Sequence, residues 1–276
     1  MAKKAKTIDK SGKRPTAIVK LQESPTEGTR NWLIYTDSGV GKTVLAGTAP
    51  KLLFLTVEAA GTESAKAFGS TADEIVILSW DHLMEVYYWL KKEGHSEYEW
   101  VCIDSLTEME ELCWNDQLEK VGKEFEARIQ DYGIVDRKVK KLVDQFNRLP
   151  VNMLYTAQMA AMELEDEDGD DYTKVLPALG RAKGGYPLSK LICGKVTLIG
   201  LLTVREDDES NEFRRLYVNG GDRWTAKDRH DTFGKYIDNP NIAEMTKLVD
   251  ARQAKAGPRS ATTKKSTTKK KKEKVS

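Results

Sequence analysis

The chain contains no stretch approaching the roughly 20 apolar residues that a membrane helix needs. Hydrophobic residues make up 39% of its 276 positions and charged residues 32%, which reads as a soluble globular protein with polar tails. Its first residues, MAKKAKTIDKSGKRP, are basic but have no apolar segment behind them, so they do not read as a signal peptide. Cysteine is scarce. Cys102, Cys113 and Cys193 are odd in number and far apart, which excludes a disulfide framework and a CxxC metal knuckle. A reducing, cytoplasmic setting is the expectation. There is no internal repeat and no module that reads nucleic-acid sequence.

Charge of one sign is missing only in the sum. The net charge is +1, yet residues 1–20 hold seven Lys/Arg against one acid and residues 251–276 hold ten against one. The body between them is left at about −14. Two basic arms flank an acidic body, an arrangement that attracts nucleic-acid phosphates or simply solubilises the tails. The tail GPRSATTKKSTTKKKKEKVS has almost nothing to pack and reads as disordered. The expected organisation is a basic N-terminal arm over 1–29, within which IVKL (18–21) fits a short edge strand, a folded domain over 30–250, and a Lys-rich tail over 251–276.

Within the body, short apolar runs alternate with amphipathic stretches, the pattern of an α/β fold with a mostly parallel central sheet flanked by helices. The runs are NWLIY (31–35), LLFLTVE (52–58), EIVIL (74–78), WVCID (100–104), VNMLYTAQ (151–158), KVTLIGLLTV (195–204) and RRLYV (214–218). DDESNE between the last two signals a hairpin turn and antiparallel C-terminal strands. In VDRKVKKLVDQFNRL, Val135, Val139, Leu142, Val143 and Phe146 share one helical face. Arg137, Lys138, Lys140 and Lys141 then read as a solvated face. Ser105–Gln130 is also helical in pattern. ELEDEDGDDYTKVLPAL reads as an inserted β-hairpin with a polar tip at Asp166–Asp171. A calcium loop is rejected there, because its turn glycine would fall on Asp171 and its last ligand on Pro177.

Chemistry concentrates at TDSGVGKTVL (36–45). The GVGKT core follows a strand and precedes a helix, as a phosphate-binding loop must. Backbone N–H groups over Asp37, Ser38, Gly39, Val40, Gly41, Lys42, Thr43 and Val44 would wrap the phosphates of ATP. Lys42 would reach the β and γ phosphates, and the Thr43 hydroxyl would hold Mg²⁺. Thr36 stands where such loops usually begin with glycine. Asp104, at the tip of WVCID, offers the second magnesium ligand. The residue after it is Ser105, so the acid that orients the attacking water must come from elsewhere, and Glu58 at the end of LLFLTVE is the candidate. Gln158 ends another strand on the same edge and is placed to sense the γ-phosphate.

A phosphate loop, a glutamate ending the next strand, an IDS strand and a terminal glutamine follow the order of the RecA-like recombinase core. The chain most resembles small phage-encoded RecA-core ATPases associated with single-strand annealing and recombination, through QDYGIVDRKVKKLVDQFNRLPVNMLYTAQ and RWTAKDR. The resemblance covers roughly 31–237. It implies that Glu58 is the catalytic acid, Gln158 the sensor, and Lys227 and Arg229 fingers into a neighbour's γ-phosphate, which makes the protein a homo-oligomeric ring or filament. It implies single-stranded DNA as partner, with GRAKGGYPLSK (Arg181, Lys183, Tyr186 and Lys190) as the DNA-binding candidate. A single-strand-binding protein is a further expected partner, and the setting is the cytoplasm of an infected bacterium. Readings that remain beside this one are a nucleotide switch or assembly protein with weak hydrolysis and a helicase- or packaging-type motor. A small-molecule kinase lacks its arginine-rich lid here.

Overall fold

The apolar runs at 31–36, 52–56, 100–104 and 152–157 fold as strands buried on both faces, which is why they read as continuous rather than alternating. In this computed structural model, residues 28–122, 127–180 and 187–255 are described. IVKL and most of both basic arms lie outside them. The elements in chain order are β1 (Asn31–Thr36), α1 (Lys42–Ala46), β2 (Leu52–Thr56), α2 (Glu63–Ala67), β3 (Asp73–Val76), α3 (Trp80–Lys92), β4 (Trp100–Asp104), α4 (Leu106–Lys120) and α5 (Ile129–Phe146). They continue with β5 (Asn152–Glu165), β6 (Asp171–Pro177), α6 (Pro187–Cys193), β7 (Leu198–Glu206), β8 (Glu212–Tyr217), β9 (Lys227–Asp228), β10 (Tyr236–Asp238) and α7 (Ile242–Ala254).

The sheet runs β10-β8-β7-β1-β5-β4-β2-β3. From β7 to β3 every neighbouring pair is parallel. β8 and β10 add antiparallel strands at one side, as the DDESNE turn implied. β8 pairs with the later part of β7, from Leu201 onward, while β9 pairs with its first two residues.

Side chains alternate across β1. Leu33 and Tyr35 join one core with α3, α4, α5 and α6, while Trp32 and Ile34 join a second core with α1, α2 and α7. The α5 face read from spacing is the buried one, with Val135, Val139, Leu142, Val143 and Phe146 each 0–1% exposed. Two of its lysines are engaged locally, Lys138 with Asp116 and Gln117 of α4 and Lys140 with Asp144, while Arg137 and Lys141 are exposed.

Three elements differ from the sequence reading. The helical pattern over 105–130 resolves into α4, which ends at Lys120, and a new helix from Ile129, capped by reciprocal bonds between Arg128 and Asp131. β5 does not stop at Gln158. It runs on to Glu165 and pairs with β6, so the hairpin is an extension of a core strand. The last helix reaches Ala254, four residues past the expected tail boundary.

Candidate functional site

Parallel pairing delivers several strand ends to one edge. Thr36 lies opposite Gln158, and Thr56 opposite Asp104, in the strand register. A cavity of about 650 Å³ opens over this edge, within the roughly 300–1,000 Å³ of small-molecule sites. Ser38 to Thr43, Glu58, Asp104 and Gln158 all line it.

The loop itself explains its glycines and its one departure. Gly39 and Gly41 have φ of +80° and +111°, backbone that L side chains rarely adopt. Thr36 needs no such freedom. It is the last residue of β1, buried, and not among the positive-φ residues. Replacing the usual glycine there costs the loop no conformation it uses.

Lys42 is 8% exposed. Its Nζ donates to the carbonyls of Thr36 (3.3 Å) and Asp37 (3.0 Å) and to Oε1 of Gln158 (3.2 Å). Burial pulls its pKa below the ordinary lysine value, and the nearby Asp104 and Asp37 charges offset this only in part. The lysine is thus a desolvated cation pointed at the place where phosphate oxygens would gather.

The Thr43 hydroxyl donates to Oδ2 of Asp104 at 2.7 Å, and the Thr156 hydroxyl donates to the other carboxylate oxygen. Thr43 and Asp104 are hard oxygen donors, and no group of three acidic, histidine or cysteine ligands occurs among the described residues. This set fits Mg²⁺, which takes one or two protein oxygens and completes its shell with substrate phosphates and water. When bound, the ion would neutralise charge on the phosphates. Ser105 does a structural job. Its hydroxyl accepts from the Glu108 N–H at 3.3 Å and caps α4.

β2 ends at Thr56, so Glu58 sits in the turn beyond it rather than on the strand. The Thr56 hydroxyl bonds the Glu58 backbone, and Gly61 N–H donates to the Glu58 carbonyl at 3.0 Å, which holds the exposed carboxylate over the cavity. Gln158 is fixed three ways: its N–H donates to Thr107 Oγ1, its carbonyl accepts from Ala178 N–H, and its side chain meets Lys42.

Other expected residues are not brought to this cavity. Lys227 and Arg229 lie at the start of β7, at the opposite end of the sheet. Lys227 Nζ donates to the Cys193 carbonyl and Arg229 Nη2 to that of Gly194 at 2.9 Å, both closing the end of α6. Lys190 is exposed on α6. Arg181, Lys183 and Tyr186 lie outside the described residues.

Sequence reading missed three contributors. Thr156 is hidden in an ordinary strand run. Glu108 lines the cavity from the first turn of α4, and the Ser105-x-x-Glu108 spacing was the signal for it. Arg214, on β8, donates from Nε to the Val40 carbonyl at 2.8 Å.

A mostly parallel α/β sheet with a glycine loop between its central strand and a helix, a buried loop lysine, and a threonine facing a strand-end aspartate define a P-loop NTPase. The chain belongs to the AAA domain family of P-loop ATPases, whose model matches residues 29–230. No curated protein matches the chain. Among the described residues no helix is long and apolar enough to cross a membrane.

Proposed function

We propose that the protein binds and hydrolyses ATP with Mg²⁺ as a RecA-like ATPase, and acts on single-stranded DNA in phage recombination, repair or replication. The observation that carries the ATPase half is the convergence of Lys42, Thr43, Asp104, Gln158 and Glu58 on one cavity. In this reading Lys42 stabilises the phosphates, Glu58 orients the attacking water, and Gln158 registers the γ-phosphate through the same contact that now joins it to Lys42.

The DNA half rests on the resemblance of the sequence to RecA-core proteins and on the two basic arms, whose phosphate attraction is independent of sequence. Assembly as a ring or filament is part of the proposal. Lys227 and Arg229 lie far from their own cavity, which accords with delivery to a neighbour's, although each must first leave a carbonyl at the end of α6. A single-strand-binding protein as partner and the cytoplasm of an infected bacterium as setting belong to the same reading.

The test is the ATPase rate with and without single-stranded DNA, at low and moderate salt, with Lys42→Ala and Glu58→Gln as controls. DNA stimulation that both variants abolish supports the whole reading. A rate indifferent to DNA keeps the ATPase and removes the DNA role.

A further inference from the structure

The cavity has a second end that the phosphate chemistry does not use. Away from Asp104 it is walled by Leu45, Leu202, Asn239 and Pro240, with Arg214 beside the loop. Arg214 reaches this place because of strand alternation. Leu216 is buried in the core shared with α1 and α7, and Arg214, two residues earlier on β8, emerges on the same face at the margin of that core.

Its position is held from both sides. The Arg214 N–H donates to Oδ1 of Asn239 (3.3 Å), and the Asn239 N–H donates to the Arg214 carbonyl (2.7 Å). The side chain then spends Nε on the Val40 carbonyl of the phosphate loop. Nη1 approaches the exposed Glu212 carboxylate only to 3.8 Å, and the terminal nitrogens make no hydrogen bond among the described residues. A guanidinium carries five donors in a rigid fork, so most of this one's capacity is unspent beside an apolar groove.

The direction of the ligand follows from the loop. Lys42, Thr43 and Asp104 gather at the end where the β and γ phosphates belong. A triphosphate seated there runs its other end towards Val40 and Arg214. We infer that the groove between α1 and β8 is the nucleoside subsite, taking the base and ribose of a nucleoside triphosphate. Pro240 supplies apolar surface for a planar base, with the buried Leu45 and Leu202 lining the groove. Arg214 couples the two halves of the site: Nε fixes the loop through Val40, and the terminal nitrogens donate to ribose or base acceptors. This inference rests on the reading of the loop as a triphosphate site and extends it.

Calorimetric titration with Mg-ATP and with inorganic tripolyphosphate, which has no nucleoside, tests it on the full chain. Wild-type protein should bind ATP at least about tenfold more tightly than tripolyphosphate. Arg214→Ala should lose about tenfold in ATP affinity, the effect of one charge-assisted hydrogen bond, and less than about twofold for tripolyphosphate. Arg214→Lys should recover part of the loss, and Lys42→Ala should weaken both ligands. Unchanged thermal stability of Arg214→Ala certifies the fold.

Equal wild-type affinity for the two ligands overturns the subsite while leaving the phosphate loop intact. An Arg214→Ala loss as large for tripolyphosphate as for ATP shows that Arg214 only shapes the loop, and overturns its role towards the nucleoside. Failure of wild-type protein to bind either ligand removes the triphosphate reading and this inference with it.

Discussion

Thr156 and Asp104 are joined through a hydroxyl within β5 and a carboxylate at the end of β4, and that bond leaves the second carboxylate oxygen to Thr43. Asp104 is therefore aimed from behind. Thr156 is fully buried, so no water replaces its hydroxyl. Thr156→Val keeps the volume and removes the donor. We expect a loss of about 10–100-fold in Mg²⁺ affinity or in rate, the usual scale for a partner of a metal ligand, with Mg²⁺-free nucleotide binding unchanged. A magnesium titration of the ATPase rate checks this.

If Glu58 acts on the attacking water rather than on nucleotide binding, as proposed, Glu58→Gln should lower kcat by about 10²–10⁴-fold with KM changed only a few-fold. Steady-state kinetics beside Glu108→Gln assigns the role. A large loss in the Glu108 variant with Glu58→Gln near wild type would move the water-orienting acid to α4.

Lys42 makes nucleotide affinity sensitive to alkaline pH. Its pKa in the folded protein lies below the ordinary lysine value through burial, so the cation is lost earlier on the alkaline side than from an exposed lysine. Phosphate oxygens restore the charged form, and binding at alkaline pH should take up protons. Calorimetry in buffers of different ionisation heat measures that uptake. The sign for folding is opposite. The unfolded chain holds this proton more tightly than the folded one, so Lys42→Met should raise thermal stability at neutral pH, and the gain should shrink as pH rises through the lysine range.

Asp131 supplies an acid-side counterpart. Hydrogen bonds from the Arg128 side chain and backbone hold its carboxyl down at about 2. A lowered carboxyl value stabilises the fold above the unfolded value of about 4 and is lost as pH falls through the folded one. Asp131→Asn should therefore melt earlier than wild type at pH 7. The difference should close between about pH 4 and pH 2. Melting curves across that range decide it, and a gap that persists at the acid end would show a role other than charge.

Mixing separates fingers from caps. Lys42→Ala ruins a copy's own site but leaves its Lys227 and Arg229 intact, while Arg229→Ala does the reverse. If Arg229 acts on a neighbour, the two inactive variants should regain part of the wild-type rate when combined. No recovery, with Arg229→Ala destabilised alone, would leave it as a cap on α6.

What the sequence made legible was whatever sits at the end of an apolar run. Asp104 and Gln158 were readable because burial on both faces makes their strands continuous and marks where they reach the cavity. The loop glycines were readable because their backbone conformations exclude other residues. Glu58 was found by order along the chain, although β2 stops two residues short of it. Arg214 was not legible. Nothing in RRLYV distinguishes its two adjacent arginines, and only the register of β8 against β7 decides which one faces the loop. Thr156 was invisible for a plainer reason: threonine is an ordinary strand residue, and its partner lies 52 positions away.

β5 carries a mechanical consequence. Its first half is a rung of the central sheet and its second half an arm, with Gln158 where the two meet. From Gln158 to Glu165 the arm spans about 23 Å at the usual rise per strand residue, and it ends in a turn crowded with carboxylates. That tip meets a polyanion with repulsion and a basic surface with attraction. Whatever grips it holds the same unbroken backbone that carries the glutamine against Lys42, so the molecule has a handle wired directly to its phosphate pocket.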